Sequence, residues 1–113
     1  MQKYDVLWTK NAQFDLELVV KYIKTNSIQN AKEVFFGIKK ESDLLYLMPV
    51  RKRVVPELQE IGITKYRELI YKRWRIIFKV EGQRVSVLMV LDSNRNLEDL
   101  LFQRLLNSDN NID

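Results

Sequence analysis

Trp74-Arg75-Ile76-Ile77-Phe78-Lys79-Val80-Glu81 and, after Gly82-Gln83, Arg84-Val85-Ser86-Val87-Leu88-Met89-Val90-Leu91-Asp92 form the stretch that decides the fold. Trp74, Ile76, Phe78 and Val80 recur with period two, as do Val85, Val87, Met89 and Leu91. Side chains alternate across a strand, so each segment is expected to turn one apolar face to a core. Gly82 stands where a tight hairpin needs a residue at positive φ. Upstream, Tyr66 to Lys72 is a third strand, joined to Trp74 through Lys72-Arg73. The expected unit is a three-stranded antiparallel meander.

On the far side of the meander, Asn94 to Asn96 punctuate the chain. Leu97, Leu100, Leu101 and Leu105 then mark a short helix. The polar residues 107–113 are expected to fray, leaving 1–106 as a single domain. On the near side, Val50 to Thr64 lacks periodicity, carries Pro56 and Gly62, and reads as a long basic loop. Before it, Ala12, Leu16, Val19, Val20 and Ile23 lie at helical spacing, as do Ile28, Ala31, Val34, Phe35, Ile38 and Leu45. Thr25-Asn26-Ser27 separates the two helices, with Ser27 as N-cap of the second, and Pro49 ends it. Tyr4 to Thr9 is rich in β-formers and supplies a first strand that extends the meander. The order is βααβββα, an α+β architecture in which a helical hairpin covers one face of an antiparallel sheet. The opposite face, with Arg75, Lys79, Arg84 and Ser86, is expected to be left for solvent or a partner.

Composition narrows the chemistry. The 113 residues contain no Cys and no His, which excludes disulfides, thiolate metal sites, cysteine nucleophiles and the commonest general base. No metal or cofactor is expected, and any catalysis falls to carboxylates, Lys, Arg, Tyr or Ser. The longest apolar run, Val87 to Leu91, is far too short to cross a bilayer, and Met1 to Thr9 lacks a signal-peptide core. A cytoplasmic protein without membrane partners is expected. The net charge of +4 is unevenly placed: Val50 to Arg84 carries ten basic and four acidic residues, while the rest of the chain is net negative. Tyr66, Tyr71 and Trp74 lie among these cations, a mixture suited to base stacking and phosphate contact, although Trp74 also begins the apolar face. Tyr66 and Tyr71 fall on opposite faces of their strand.

Arg53-Val54-Val55-Pro56-Glu57-Leu58, then Tyr66-Arg67-Glu68-Leu69-Ile70, Trp74-Arg75-Ile76-Ile77-Phe78, Val87-Leu88-Met89-Val90-Leu91-Asp92 and Arg95 together resemble the RelE/ParE toxins of bacterial type II toxin–antitoxin pairs. Ala12-Gln13-Phe14-Asp15-Leu16 with Tyr22-Ile23 is similar to that family's first helix, so the resemblance spans nearly the whole chain. It implies a RelE-like fold and a growth-inhibiting toxin neutralised by an antitoxin with an acidic, partly disordered binding segment. Two outlets are implied: cleavage of mRNA on the ribosome, and inhibition of DNA gyrase.

Metal-free RNA cleavage needs a base for the 2′-hydroxyl, cations for the charged phosphorane and an acid for the leaving oxygen. In one ribonuclease branch of the family a Pro-Glu glutamate resembles the base and an arginine of the Trp-Arg-Ile strand stabilises the phosphate. Glu57 and Arg75 match these positions, with Arg67 as a second catalytic cation. Arg51, Lys52, Arg53 and Lys79 would bind nucleic acid. Asp92 stands where that branch has a histidine, and with Arg95 is either an acid or a strand-end turn. The other branch's C-terminal tyrosine has no counterpart after Leu91. Alongside its possible role as base, Glu57 has a structural role to weigh, an ion pair with Arg67 or Arg75. These residues place ribosome-dependent mRNA cleavage first, a non-enzymatic gyrase inhibitor acting through Leu97 to Leu106 second, and an inactive toxin-fold binding module third.

Overall fold

The computed structural model describes residues 3–108, except the side chains of 101, 102 and 105–108. Strand β1 (Asp5–Trp8) leads through Thr9 alone into helix α1 (Lys10–Lys24), and the Thr9 hydroxyl caps that helix by accepting from the Ala12 amide at 3.1 Å. Helix α2 (Ile28–Asp43) begins at Ser27 as expected, whose hydroxyl accepts from the Asn30 amide at 3.0 Å. Each cap contributes about 0.5–2 kcal/mol. The α-helix stops at Asp43, short of the expected end at Pro49, and a 3-10 turn, Leu44–Tyr46, continues it. Met48 then reverses the chain at φ 48° immediately before Pro49, where the proline ring disfavours a right-handed helical residue.

The stretch read as a loop contains structure. It holds a two-residue strand β2 (Arg53–Val54) and a one-turn helix α3 (Pro56–Gln59). Both are too short for a periodic signal; Pro56 at the helix start supplies the pre-set φ that opens the turn. The meander follows as β3 (Tyr66–Tyr71), β4 (Trp74–Glu81) and β5 (Arg84–Asp92), and α4 (Leu97–Ser108) closes the described chain. Helix α4 therefore runs two residues beyond 106, and the rest of the expected frayed tail, 109–113, lies outside the described residues.

The sheet order is β1-β5-β4-β3-β2. The meander is antiparallel, with Gly82 at φ 60° in the β4–β5 turn. β1, however, joins β5 in parallel, Asp5 beside Arg84 and Trp8 beside Val87, so the sheet is mixed rather than wholly antiparallel. Alternation reports which face a side chain takes and carries no information on strand direction.

A bulge alters the expected faces. Ile77 pairs with Met89 but Phe78 pairs with Val87, which leaves Leu88 as an extra residue. An inserted residue reverses every side chain beyond it. Val85, Val87 and Val90 thus face the helices with Trp74, Ile76 and Phe78, whereas Leu88, Met89 and Leu91 turn to the other side. That side is not open, as expected from sequence, but carries a second core. Val55 and Leu58 from the β2–α3 segment and Leu97 from α4 pack there against Tyr66, Ile77, Met89 and Leu91. β4 is consequently buried on both faces, with Arg75 and Lys79 inside it at 6% and 4% exposure.

Candidate functional site: an ion-pair cluster beneath α3

Val55 and Leu58, almost fully buried, anchor α3 on the second face, and the Val55 amide donates to the Tyr66 carbonyl at 2.9 Å. This fixes Glu57 over the sheet beside Arg75. Arg75 Nη1 donates to Glu57 Oε2 at 2.9 Å and Nη2 to Oε1 at 2.8 Å, while Nε donates to Glu68 Oε1 at 2.7 Å. The other Glu68 oxygen receives Arg53 Nε at 2.6 Å, and Arg53 and Glu68 are register partners on β2 and β3. Two arginines and two glutamates therefore form one chain of ion pairs. The side chains close progressively to solvent, from Arg53 (59% exposed) through Glu57 (28%) and Arg75 (8%) to Glu68 (0%). Burial disfavours the Arg75 charge, but the bonds to Glu57 and Glu68 outweigh it and hold the guanidinium above its ordinary pKa.

Glu57 and Arg75 are thus brought together, Arg53 joins them through Glu68, and Lys79 lies on the same face with its ammonium 3.6 Å from Glu81. Arg51 and Lys52 are exposed at the rim. Arg67 is not part of the cluster. It pairs with Phe78, whose ring faces the helical hairpin, and its Nη1 donates to the Lys52 carbonyl at 2.6 Å. Arg67 therefore braces the Pro49–Arg51 turn from the other face. Sequence reasoning missed Glu68, the centre of the cluster. Its alternation with Tyr66 was the available signal, placing it on the Arg75 face once β3 and β4 are adjacent.

Asp92 and Arg95 belong elsewhere. Asp92 pairs with Trp74 and so shares its helix-side face. The Arg73 guanidinium donates to the Asp92 carboxylate, and the Asn94 amide donates to it at 2.9 Å. These bonds, that of Arg73 foremost, hold the Asp92 pKa below its ordinary value. The Arg95 amide closes the turn on the Asp92 carbonyl at 3.1 Å. With Leu18, Tyr22 and Trp74, these residues line a groove of about 370 Å³ between α1 and the end of the sheet. At its edge lies a second residue missed in sequence, Asp15. It accepts from the Val90 amide at 3.1 Å and from both terminal nitrogens of Arg104 on α4 at 3.2 and 3.1 Å. Burial pushes the Asp15 pKa up, against the opposing effect of Arg104. Nothing local foretells this contact, because its partner is 89 residues away.

Chemically, the cluster under α3 is a neutralised scaffold. Arg75 spends its three donor nitrogens on carboxylates, and both Glu57 oxygens are occupied by Arg75. Among the described residues no group of His, Cys, Asp or Glu is arranged to hold a metal ion, and no helix is long and apolar enough to cross a membrane.

The fold is found in a known toxin–antitoxin system. The chromosomal ParDE toxin–antitoxin system from P. aeruginosa contains a chain that superposes with a TM-score of 0.66 at 17% identity, covering 81% of this chain and 98% of that one. The toxin–antitoxin complex RelBE2 from Mycobacterium tuberculosis matches with a TM-score of 0.49 at 22% identity, over 81% of this chain and 93% of that one. No curated protein sequence matches significantly. Residues 6–97 match the model of the ParE toxin of the type II toxin–antitoxin system parDE. That span takes in most of β1, the helical hairpin, the whole meander and the ion-pair cluster, and on it the chain belongs to the ParE family of type II toxins.

Proposed function

We propose that this toxin arrests growth by binding DNA gyrase rather than by cutting RNA, and that an antitoxin with an acidic binding segment neutralises it. The order of the two mechanisms suggested by sequence is thereby reversed. The observation that carries the reversal is the separation of Glu57 and Asp92 onto opposite faces of the sheet. A base and an acid must both reach one phosphodiester. Here the candidate base is locked to Arg75 under α3, and the candidate acid is a turn residue whose pKa is held low by Arg73. The ParE family match supports the same choice. A gyrase target places the protein in the cytoplasm.

Two reactions test this. Purified toxin added to gyrase and relaxed plasmid is expected to block supercoiling or to accumulate cleaved DNA. In a translation reaction it is expected to leave ribosome-bound mRNA intact. Unaffected supercoiling with mRNA cut in the ribosomal A site would reinstate the ribonuclease mechanism, and no growth arrest at good expression would indicate an inactive module. Co-expression of the adjacent open reading frame is expected to restore growth.

A further inference from the structure

Arg51 and Lys52 take no part in the ion-pair cluster, and Arg53 forms only its open end. All three lie along one border of the molecule. β2 is the last strand of the sheet, paired with β3 on one side and with no described strand on the other. Arg53 opens it opposite Glu68, Val54 follows opposite Arg67, and Arg51 and Lys52 lead into it from the Pro49–Arg51 turn.

This border is more cationic than its acids can balance. Glu57 is held by both terminal nitrogens of Arg75, and Glu68, closed to solvent, is shared between Arg75 and Arg53. Two arginines and two glutamates cancel, which leaves Arg51, Lys52 and Arg67 in surplus. Glu60, at the end of α3, is the one further acid between Val50 and Arg67. Among the described residues none of the three surplus cations has a carboxylate within ion-pairing distance. Arg67 donates instead to the Lys52 carbonyl at 2.6 Å, which draws a fourth positive group against the segment that carries the others. The same segment is pinned by buried Pro49, whose carbonyl accepts from the Lys52 amide at 3.1 Å. Charge of either sign keeps a sheet edge from pairing with another chain. Four groups of one sign, braced against their mutual repulsion, are arranged for a polyanion.

Burial decides which polyanion. The rings expected from sequence to stack on bases are turned inward: Tyr66 and Trp74 are 0% and 6% exposed, and Tyr71 packs against the core under the helical hairpin. Single strands are held by stacking on open rings as well as by charge. Cations whose neighbouring rings are buried suit a duplex instead, where the bases already stack on one another and the phosphates lie outermost. We infer that the β2 border docks on the sugar–phosphate backbone of duplex DNA, with Arg51, Lys52 and Arg53 against phosphates and Arg67 holding their segment in place. The toxin thereby meets gyrase and the DNA held on gyrase together. The inference rests on the gyrase proposal for the source of the DNA, and a contact made to phosphates alone is independent of base sequence.

The probe is a short fluorescein-labelled DNA duplex of mixed sequence, titrated with the full chain and followed by anisotropy over a range of potassium chloride concentrations. Binding is expected to weaken with salt at a slope of about −3 in log K against log salt, from about −0.9 for each phosphate neutralised. Arg51→Gln with Lys52→Gln should weaken binding roughly tenfold and flatten the slope by about two units. Lys24→Gln with Lys32→Gln, which removes the same charge from the helical hairpin, should leave both unchanged. All four positions are exposed, and an unchanged circular dichroism spectrum verifies folding. Absence of binding at low salt, equal losses in the two double variants, or full binding by the first overturns the inference. So does tighter binding of single-stranded RNA than of the duplex. Supercoiling left unaffected by a toxin that binds DNA in this manner would count against gyrase as the target and leave the DNA contact standing. Inhibition of supercoiling by the Arg51→Gln, Lys52→Gln variant at the wild-type concentration would overturn the inference and leave gyrase as the target.

Discussion

Arg75 and Glu57 face each other as a two-bond fork, at 2.9 and 2.8 Å, and the fork fastens α3 to the central strand of the sheet. Behind it the third Arg75 donor reaches Glu68, whose side chain is closed to solvent. The same residues that resemble a catalytic pair in sequence thereby hold the second core shut.

Arg75→Ala is expected to lower the unfolding free energy by about 3–5 kcal/mol, because it strands the buried Glu68 carboxylate beside Arg53 alone. Urea denaturation checks this. Arg75→Met combined with Glu68→Gln should recover much of the loss, since no buried charge is then left unmatched.

Glu57→Gln separates structure from catalysis. One Arg75 bond persists through the amide oxygen, so a loss of roughly 1 kcal/mol is expected. Gyrase inhibition by the folded variant should stay within about twofold of wild type, a change worth less than RT. A large loss of toxic activity without loss of folding would mark Glu57 as a reacting group.

Gly37 is required where α2 crosses β3. A Cβ there would lie 2.1 Å from the Tyr71 ring, whose hydroxyl donates to the Glu33 carbonyl at 3.4 Å. Gly37→Ala gains helix propensity of about 1 kcal/mol. It also forces the ring aside, at about 1–3 kcal/mol. Net destabilisation is expected in thermal unfolding, and Tyr71→Ala in the Gly37→Ala background should reverse its sign.

Acid stability separates the two aspartates of the α1 groove. Asp92 has a folded pKa below its ordinary 3.8, so its contribution is present above that pH and is lost as pH falls through the folded value. Asp15 has a folded pKa above 3.8, so its protonation favours the folded state as pH falls. Relative to wild type, Asp92→Asn should flatten the decline in stability below about pH 4. Asp15→Asn should steepen it. Urea midpoints measured against pH test both signs.

Much of the fold was legible because its signals are local. Thr25-Asn26-Ser27 separates α1 from α2, Gly82 makes the β4–β5 turn, and period two marks three strands. The Leu88 bulge was not legible, since Val87 to Leu91 are all apolar and any phase fits them. Nor was the second core, whose cover comes from Val55, Leu58 of the one-turn α3 and Leu97 at the start of α4.

Sequence by itself determined the types of the longer elements, the absence of histidine and thiol chemistry, the cationic middle of the chain and, through Glu57 and Arg75, a pair of residues that belong together. Tertiary structure alone decided what that pair does. β2 places Arg53 opposite Glu68, α3 lowers Glu57 onto Arg75, and the sheet interposes itself between these groups and Asp92. The physical reason is that charge and periodicity are properties of a segment, whereas neutralisation and a shared face depend on the register between segments far apart in the chain.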